Sequence, residues 1–262
     1  MQTYTKQQLI ERLREIKRNG WVYCARPGNA GGIGNTLEDL LGIKENSLPI
    51  PNANEWELKT QRLGTSSLTT LFHTEPSPRA LKFVPQILLL KYGWTHQKAG
   101  GLYGVDEMSF RQTIHGNIRS DRGFKVVIDR KNEKVLISFD CSAVDPRHNV
   151  WLKSVEKRVG LGELNPQPYW GFRDLSAKAG CKLLNCFYVQ AATKKDEKGR
   201  LCYHYNKILM CETFSFENFL KAMDSAFVLV DFDARTGHNH GTKFRLRQDK
   251  LPELYARVTE ID

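Results

Sequence analysis

Trp56, Leu58 and Thr60 alternate with Glu55, Glu57 and Lys59. A period of two predicts a strand, and it puts the three charged groups on one side. Between Gln7 and Arg18 the spacing changes: Leu9, Leu13 and Ile16 recur at three or four residues, which predicts an amphipathic helix ended by Gly20. The glycine-rich run 28–36 leads into Leu37-Glu38-Asp39-Leu40-Leu41-Gly42, read as a helix capped by Asn35 or Thr36. A strand over Ser66–Phe72 is expected to pair with the first, because only a short turn around Leu63 and Gly64 separates them. The stretch 76–104 reads as irregular, with Ile87–Leu90 as a core segment. Phe124–Asp129 and Lys134–Asp140 predict a hairpin extending the same sheet. Further on come a helix over Arg173–Ala179, strands at Cys181–Ala191 and Tyr203–Cys211, a short helix at Phe216–Ala222 and a strand at Phe227–Phe232. The pattern is α/β with a mixed sheet. The proline- and glycine-containing stretch Asp145–Pro168 is where a change of lobe is expected, giving lobes 1–165 and 166–262.

Composition narrows the partner. At 262 residues the chain is long enough for one large domain or two lobes. A formal charge of +10 and a pI of ≈ 9.3 suit a polyanion such as nucleic acid. Six cysteines occur without a Cys-x-x-Cys pair, which supports neither a zinc ribbon nor a thioredoxin-like motif; Cys181 and Cys186 read as reduced core thiols. No apolar run approaches the length of a membrane span, and a cytoplasmic protein is expected.

The charged strand face carries the candidate chemistry. Metal-assisted phosphodiester cleavage needs hard oxygen ligands for Mg²⁺ and a cation that positions the attacking water. Glu57 and Lys59 share a face and meet part of that need; a third oxygen ligand just upstream is Asn52. A solvated strand face would give the same alternation. The run Pro51-Asn52, four residues, then Glu57-Leu58-Lys59-Thr60 resembles the MvaI/BcnI family of MutH-like PD-(D/E)XK restriction endonucleases, in which the second residue is Asp. Asn52 offers a neutral carbonyl oxygen in place of that carboxylate. One reading is natural divergence with Glu55 compensating; the other is an Asp-to-Asn change that stops cleavage while keeping DNA binding, which the intact surroundings favour.

Two further stretches carry the same resemblance. Gly32-Ile33-Gly34-Asn35-Thr36-Leu37-Glu38-Asp39-Leu40-Leu41 lacks the Gly-Lys-Ser/Thr ending of a phosphate-binding loop, and in the family its glutamate, here Glu38, comes beside the metal site. His238-Asn239-His240-Gly241-Thr242-Lys243-Phe244-Arg245 corresponds to a segment that reads bases, with Asn239 where the family has Asp. His and Arg can donate to the O6 and N7 acceptors of guanine. A His-x-His pair can also bind metal, yet no third ligand is close in sequence. The polar run Arg111–Arg122 resembles a family segment and predicts phosphate contacts from Arg119 and Arg122; a solvated loop is the plain alternative. His73, at a strand end, is a secondary catalytic candidate. Trp170, Tyr203 and Tyr205 are candidates for base stacking, with core packing as the usual fate of such rings.

The resemblance spans about Gly20 to Arg247. It implies a two-lobed, MutH-like fold gripping double-stranded DNA, with 1–165 catalytic and 166–262 recognising the sequence. It also implies a Mg²⁺-dependent Type II enzyme of bacterial or archaeal cytoplasm. That enzyme would act as a monomer on a short, pseudo-palindromic, GC-rich site, nicking one strand at a time, with a cognate methyltransferase as genetic partner. Glu57 and Asn52 would hold the metal, Lys59 would position water, and Glu38 would assist. A mismatch-repair nickase and a non-catalytic DNA-binding protein are the alternatives.

Overall fold

The computed structural model describes residues 4–29, 31–43 and 56–262. In chain order the elements are α1 (Lys6–Asn19), β1 (Trp21–Tyr23), α2 (Gly32–Leu41), β2 (Trp56–Arg62), β3 (Thr69–His73), α3 (Leu89–Tyr92), β4 (Trp94–Thr95), β5 (Met108–Ile114), β6 (Arg122–Asp129) and β7 (Lys134–Val144). There follow α4 (Asn149–Val159), β8 (Tyr169–Gly171), α5 (Phe172–Leu183), β9 (Asn185–Lys195), β10 (Leu201–Phe214), α6 (Phe216–Asp224), β11 (Val228–Arg235), β12 (His238–Asn239), β13 (Lys243–Leu246) and β14 (Tyr255–Ile261). The chain is mixed α/β, as expected.

It falls into two compact units, 1–69 with 179–218 and 247–262, and 70–178 with 219–246. The backbone therefore passes between them more than once, and no single boundary near residue 165 describes the division. The turn-rich stretch proposed as a lobe change holds α4 and lies within the second unit.

In the first unit the strand order is β1-β10-β9-β2, with β14 also on β10. β2 runs parallel to β9, Glu57 opposite Cys186 and Lys59 opposite Tyr188, whereas the other pairs are antiparallel. Trp56 and Leu58 join Phe187, Val189, Tyr203 and Tyr205 in one apolar cluster with Leu9, Leu13 and Ile16 of α1 and Ile33, Leu37 and Leu41 of α2. The helical and strand periodicities thus meet on one face of the sheet, where both helices bury their stripes. Thr5 caps α1 with a reciprocal capping box through Gln8.

α2 begins earlier than the sequence suggests. Asn35 and Thr36 lie inside it, and Thr36 turns its hydroxyl back to the carbonyl of Gly32 at 2.7 Å. The glycines form its first turn because space is short: a Cβ on Gly32 would stand 3.1 Å from Cys24 Sγ and 3.2 Å from Tyr203 Oη.

The second unit has a six-stranded sheet, β3-β13-β11-β5-β4 with β12 on β11, and a separate three-stranded sheet, β6-β7-β8. β3 thus pairs with β13 rather than forming the expected hairpin with β2, since Phe72 stacks on Phe219 and Phe244 of its own unit. The β6–β7 hairpin forms as expected but does not extend the β2 sheet. The stretch read as irregular contains two short helical turns, Arg79–Leu81 and Phe83–Leu88, before α3. Leu88 and Leu89 are core, but Leu90 is 59% exposed. Arg111–Ile114 belongs to β5 and is not loop.

Candidate active site and base-reading face

The alternation that predicted β2 separates its two faces sharply. While Trp56 and Leu58 enter the apolar cluster, Glu57, Lys59 and Gln61 share the other face with Cys186, Tyr188 and Gln190 of β9. Glu57 is only 4% exposed. Its Oε1 accepts from Lys59 Nζ at 2.6 Å, and its Oε2 is buried with no hydrogen-bond partner. Leaving a buried carboxylate oxygen unpaired is costly, so the arrangement calls for a further donor or cation there.

The surroundings raise that demand. Burial, then the neighbouring Cys211, pushes the Cys186 thiol well above its usual range. Burial likewise pushes Tyr255 well above and Tyr188 up to about 12. These groups stay neutral at ordinary pH and add no charge beside the Glu57–Lys59 pair. Tyr188 donates to Gln61 Oε1, Gln61 Nε2 donates to the Ser67 carbonyl at 3.2 Å, and Gln190 donates to Asp249. Gln61 was not singled out from the sequence, although it continues the same period of two.

Of the other candidates, Asn52 and Glu55 lie outside the described residues. Glu38 is half-buried on α2. Among the described residues no group of three or more His, Cys, Asp or Glu side chains converges as a metal site. A hard divalent cation fits the site at one point on the described atoms, the unpaired Glu57 Oε2. His73 is exposed at the end of β3 in the second unit. Its ring lies 3.5 Å from where a Cβ on Gly241 would sit, beside the His238–Thr242 turn.

That turn follows β11. His238, Asn239 and His240 are exposed, with the two imidazoles 6.5 Å apart and 17° from parallel. Behind them, Asp231 accepts from Thr113 at 2.8 Å and from Arg245 at 3.2 Å, while Asp233 faces Lys243 at 3.3 Å and Arg111 at 3.5 Å. Cations and carboxylates thus alternate across β5, β11 and β13 on the side opposite buried Val230 and Phe232. Lys243 and Arg245 are held by aspartates that sequence reasoning missed; their only signal was alternation within β11.

Three further expected DNA contacts also have partners within the protein. Thr242 is fully buried, its hydroxyl donating to Glu75 at 3.0 Å. Arg119 donates to the Gly123 carbonyl at 2.9 Å and to Ser138 Oγ at 3.2 Å. Arg122 lies over Trp94, 4.1 Å from the ring centroid, in a cavity of ≈ 610 Å³ shared with Arg147, His148 and Arg158. Trp170, Tyr203 and Tyr205 are core, at 3%, 0% and 0% exposure. All six cysteines are reduced, but Cys181 is exposed, not core.

With this sheet arrangement and a buried carboxylate–lysine pair on one strand, the chain has the fold of a restriction endonuclease. The solved complex of restriction endonuclease MvaI with its cognate DNA substrate is similar over 99% of this chain and 100% of that one, with a TM-score of 0.76 and 24% identity. MvaI solved without DNA covers 100% of both chains, with a TM-score of 0.57 and 23% identity. No curated protein matches. The chain belongs to the MvaI/BcnI restriction endonuclease family, which matches residues 10–255.

Proposed function

We propose that this chain is a sequence-specific Type II endonuclease acting on double-stranded DNA, in a form whose cleavage is impaired by Asn52. The observation that carries this is the buried Glu57–Lys59 pair with Glu57 Oε2 left unpaired, in a chain of a restriction endonuclease family. Glu57 would hold a divalent cation such as Mg²⁺, with the residue at 52 as a second ligand. A bound Mg²⁺ supplies charge for the developing phosphate dianion and a more acidic water. Lys59 spends one N–H on Glu57 Oε1. Its remaining donors orient the attacking water and meet the scissile phosphate. Gln61 and Tyr188 brace the strand beneath.

In this reading the first unit is catalytic and the second reads bases through His238, Asn239, His240, Lys243 and Arg245. The net charge of +10 favours association with the duplex. We further propose that the enzyme acts as a monomer on a short, pseudo-palindromic, GC-rich site and nicks one strand at a time, alongside a cognate methyltransferase.

The test compares this chain with Asn52→Asp on mixed plasmid DNA, with Mg²⁺ and with EDTA. Restoring a carboxylate should raise Mg²⁺-dependent cleavage by roughly two orders of magnitude or more. Equal and robust cleavage by both proteins would refute the limiting role of position 52, and no cleavage by either would refute the nuclease reading.

A further inference from the structure

The turn carrying His238 and His240 is held by one carboxylate outside every motif. Glu75 Oε1 accepts the backbone N–H of Thr242 at 3.0 Å and faces Asn239 Nδ2 at 3.4 Å, and Oε2 accepts the Thr242 hydroxyl at 3.0 Å. Asn239 Oδ1 in turn accepts the N–H of Gly241 at 3.0 Å. Both ends of the Asn239 amide are therefore engaged, which fixes its orientation. The Thr242 carbonyl accepts from Thr74 N–H at 3.0 Å, and the His240 N–H donates to the Asp233 carbonyl at 2.9 Å. Gly237 and Gly241, at φ +71° and +79°, let the chain reverse between these anchors.

We propose that Glu75 and Asn239 are a matched positioning pair that fixes how His238 and His240 are presented to base edges. The inference rests on the reading of this turn as base-reading. A charged acceptor engaging three donors in one turn makes bonds stronger than neutral ones, and discrimination between bases needs donors held within a fraction of an ångström. The pair is chemically specific. Asn at 239 offers Glu75 a donor, whereas Asp would set two carboxylates against each other, and one must protonate or the turn must move. Gln at 75 can donate to an Asp at 239 and still accept the Thr242 hydroxyl, but its nitrogen then faces the Thr242 N–H that Oε1 accepts here, so complementarity returns in part.

The experiment uses the full chain in EDTA, which prevents cleavage. Duplexes enriched by this chain from a random-core library are compared with scrambled duplexes of the same composition. Glu75→Ala and Asn239→Asp should each lower the enriched-to-scrambled affinity ratio by ~5-fold or more, leaving scrambled affinity within about twofold. The double variant Glu75→Gln with Asn239→Asp should recover part of the ratio that Asn239→Asp alone loses. His238→Ala and His240→Ala are run alongside. If they lower the ratio while Glu75→Ala and Asn239→Asp do not, the positioning pair is refuted and the base-reading turn stands. If the histidine variants also leave the ratio unchanged, the reading of the turn falls and the pair with it. Equal losses on both duplexes, or no rescue by the double variant, also overturn the proposal. Should Glu75→Ala fail to fold, Asn239→Asp and its rescue decide the matter.

Discussion

Replacing Lys59 with Met keeps an unbranched side chain of similar length and removes the only hydrogen-bond donor to the Glu57 carboxylate among the described residues. The Glu57 side chain is 6% exposed and that of Lys59 14%, so solvent screens the pair little. With Oε1 no longer paired at 2.6 Å and Oε2 already without a partner, both carboxylate oxygens of Glu57 would be buried unmatched. Breaking one side of a buried pair costs ~3–5 kcal/mol, because the remaining charge stays in low dielectric. Adding Glu57→Gln removes that charge and leaves only an imperfectly paired amide, at ~1–3 kcal/mol. The double variant should therefore be more stable than Lys59→Met alone by roughly 1–3 kcal/mol, the signature of direct coupling. Urea unfolding in EDTA, followed by circular dichroism, measures all three proteins against the parent. A Lys59→Met protein within about 0.5 kcal/mol of the parent, or costs that simply add in the double variant, would show that the pair is solvated and would remove the physical basis for a demanding site at Glu57 Oε2.

Burial pushes the Asp121 carboxyl up, but the hydrogen bond from His148 and the charges of His148, Arg122 and Arg147 outweigh it and hold the group below 3.8. A depressed carboxylate stabilises the fold above its unfolded pKa and loses that contribution as pH falls through the folded one. Asp121→Asn should therefore be less stable than the parent near pH 7, and the gap should close in the acid range; unfolding midpoints taken across pH 2–7 check it. Gly116, in the Arg111–Arg122 run, packs so tightly that a Cβ would overlap the Met223 carbonyl. Gly116→Ala should cost about 2–3 kcal/mol as a packing clash, read as a lowered melting temperature, and an unchanged temperature would contradict the packing.

The sequence by itself determined the local pieces of this protein. The period of two in Trp56–Thr60 fixed which side chains face the core, so Glu57 and Lys59 had to share a face wherever the strand was placed. The 3.6-residue spacing of Leu9, Leu13 and Ile16 fixed the buried stripe of α1. The motifs, read in their order along the chain, pointed to the family. Tertiary structure decided everything that depends on which segments meet. β2 finds β9, more than a hundred residues away, while β3 leaves for β13, because apolar faces choose partners by packing rather than by nearness in sequence. The resemblance pointed Thr242 and Arg119 toward DNA, and only the fold shows that Thr242 also donates to Glu75 and Arg119 to Gly123 and Ser138. Glu75 itself sits in no motif. Its importance comes from three donors converging on one carboxylate from residues over 160 positions away, and no local pattern in a chain records such an encounter.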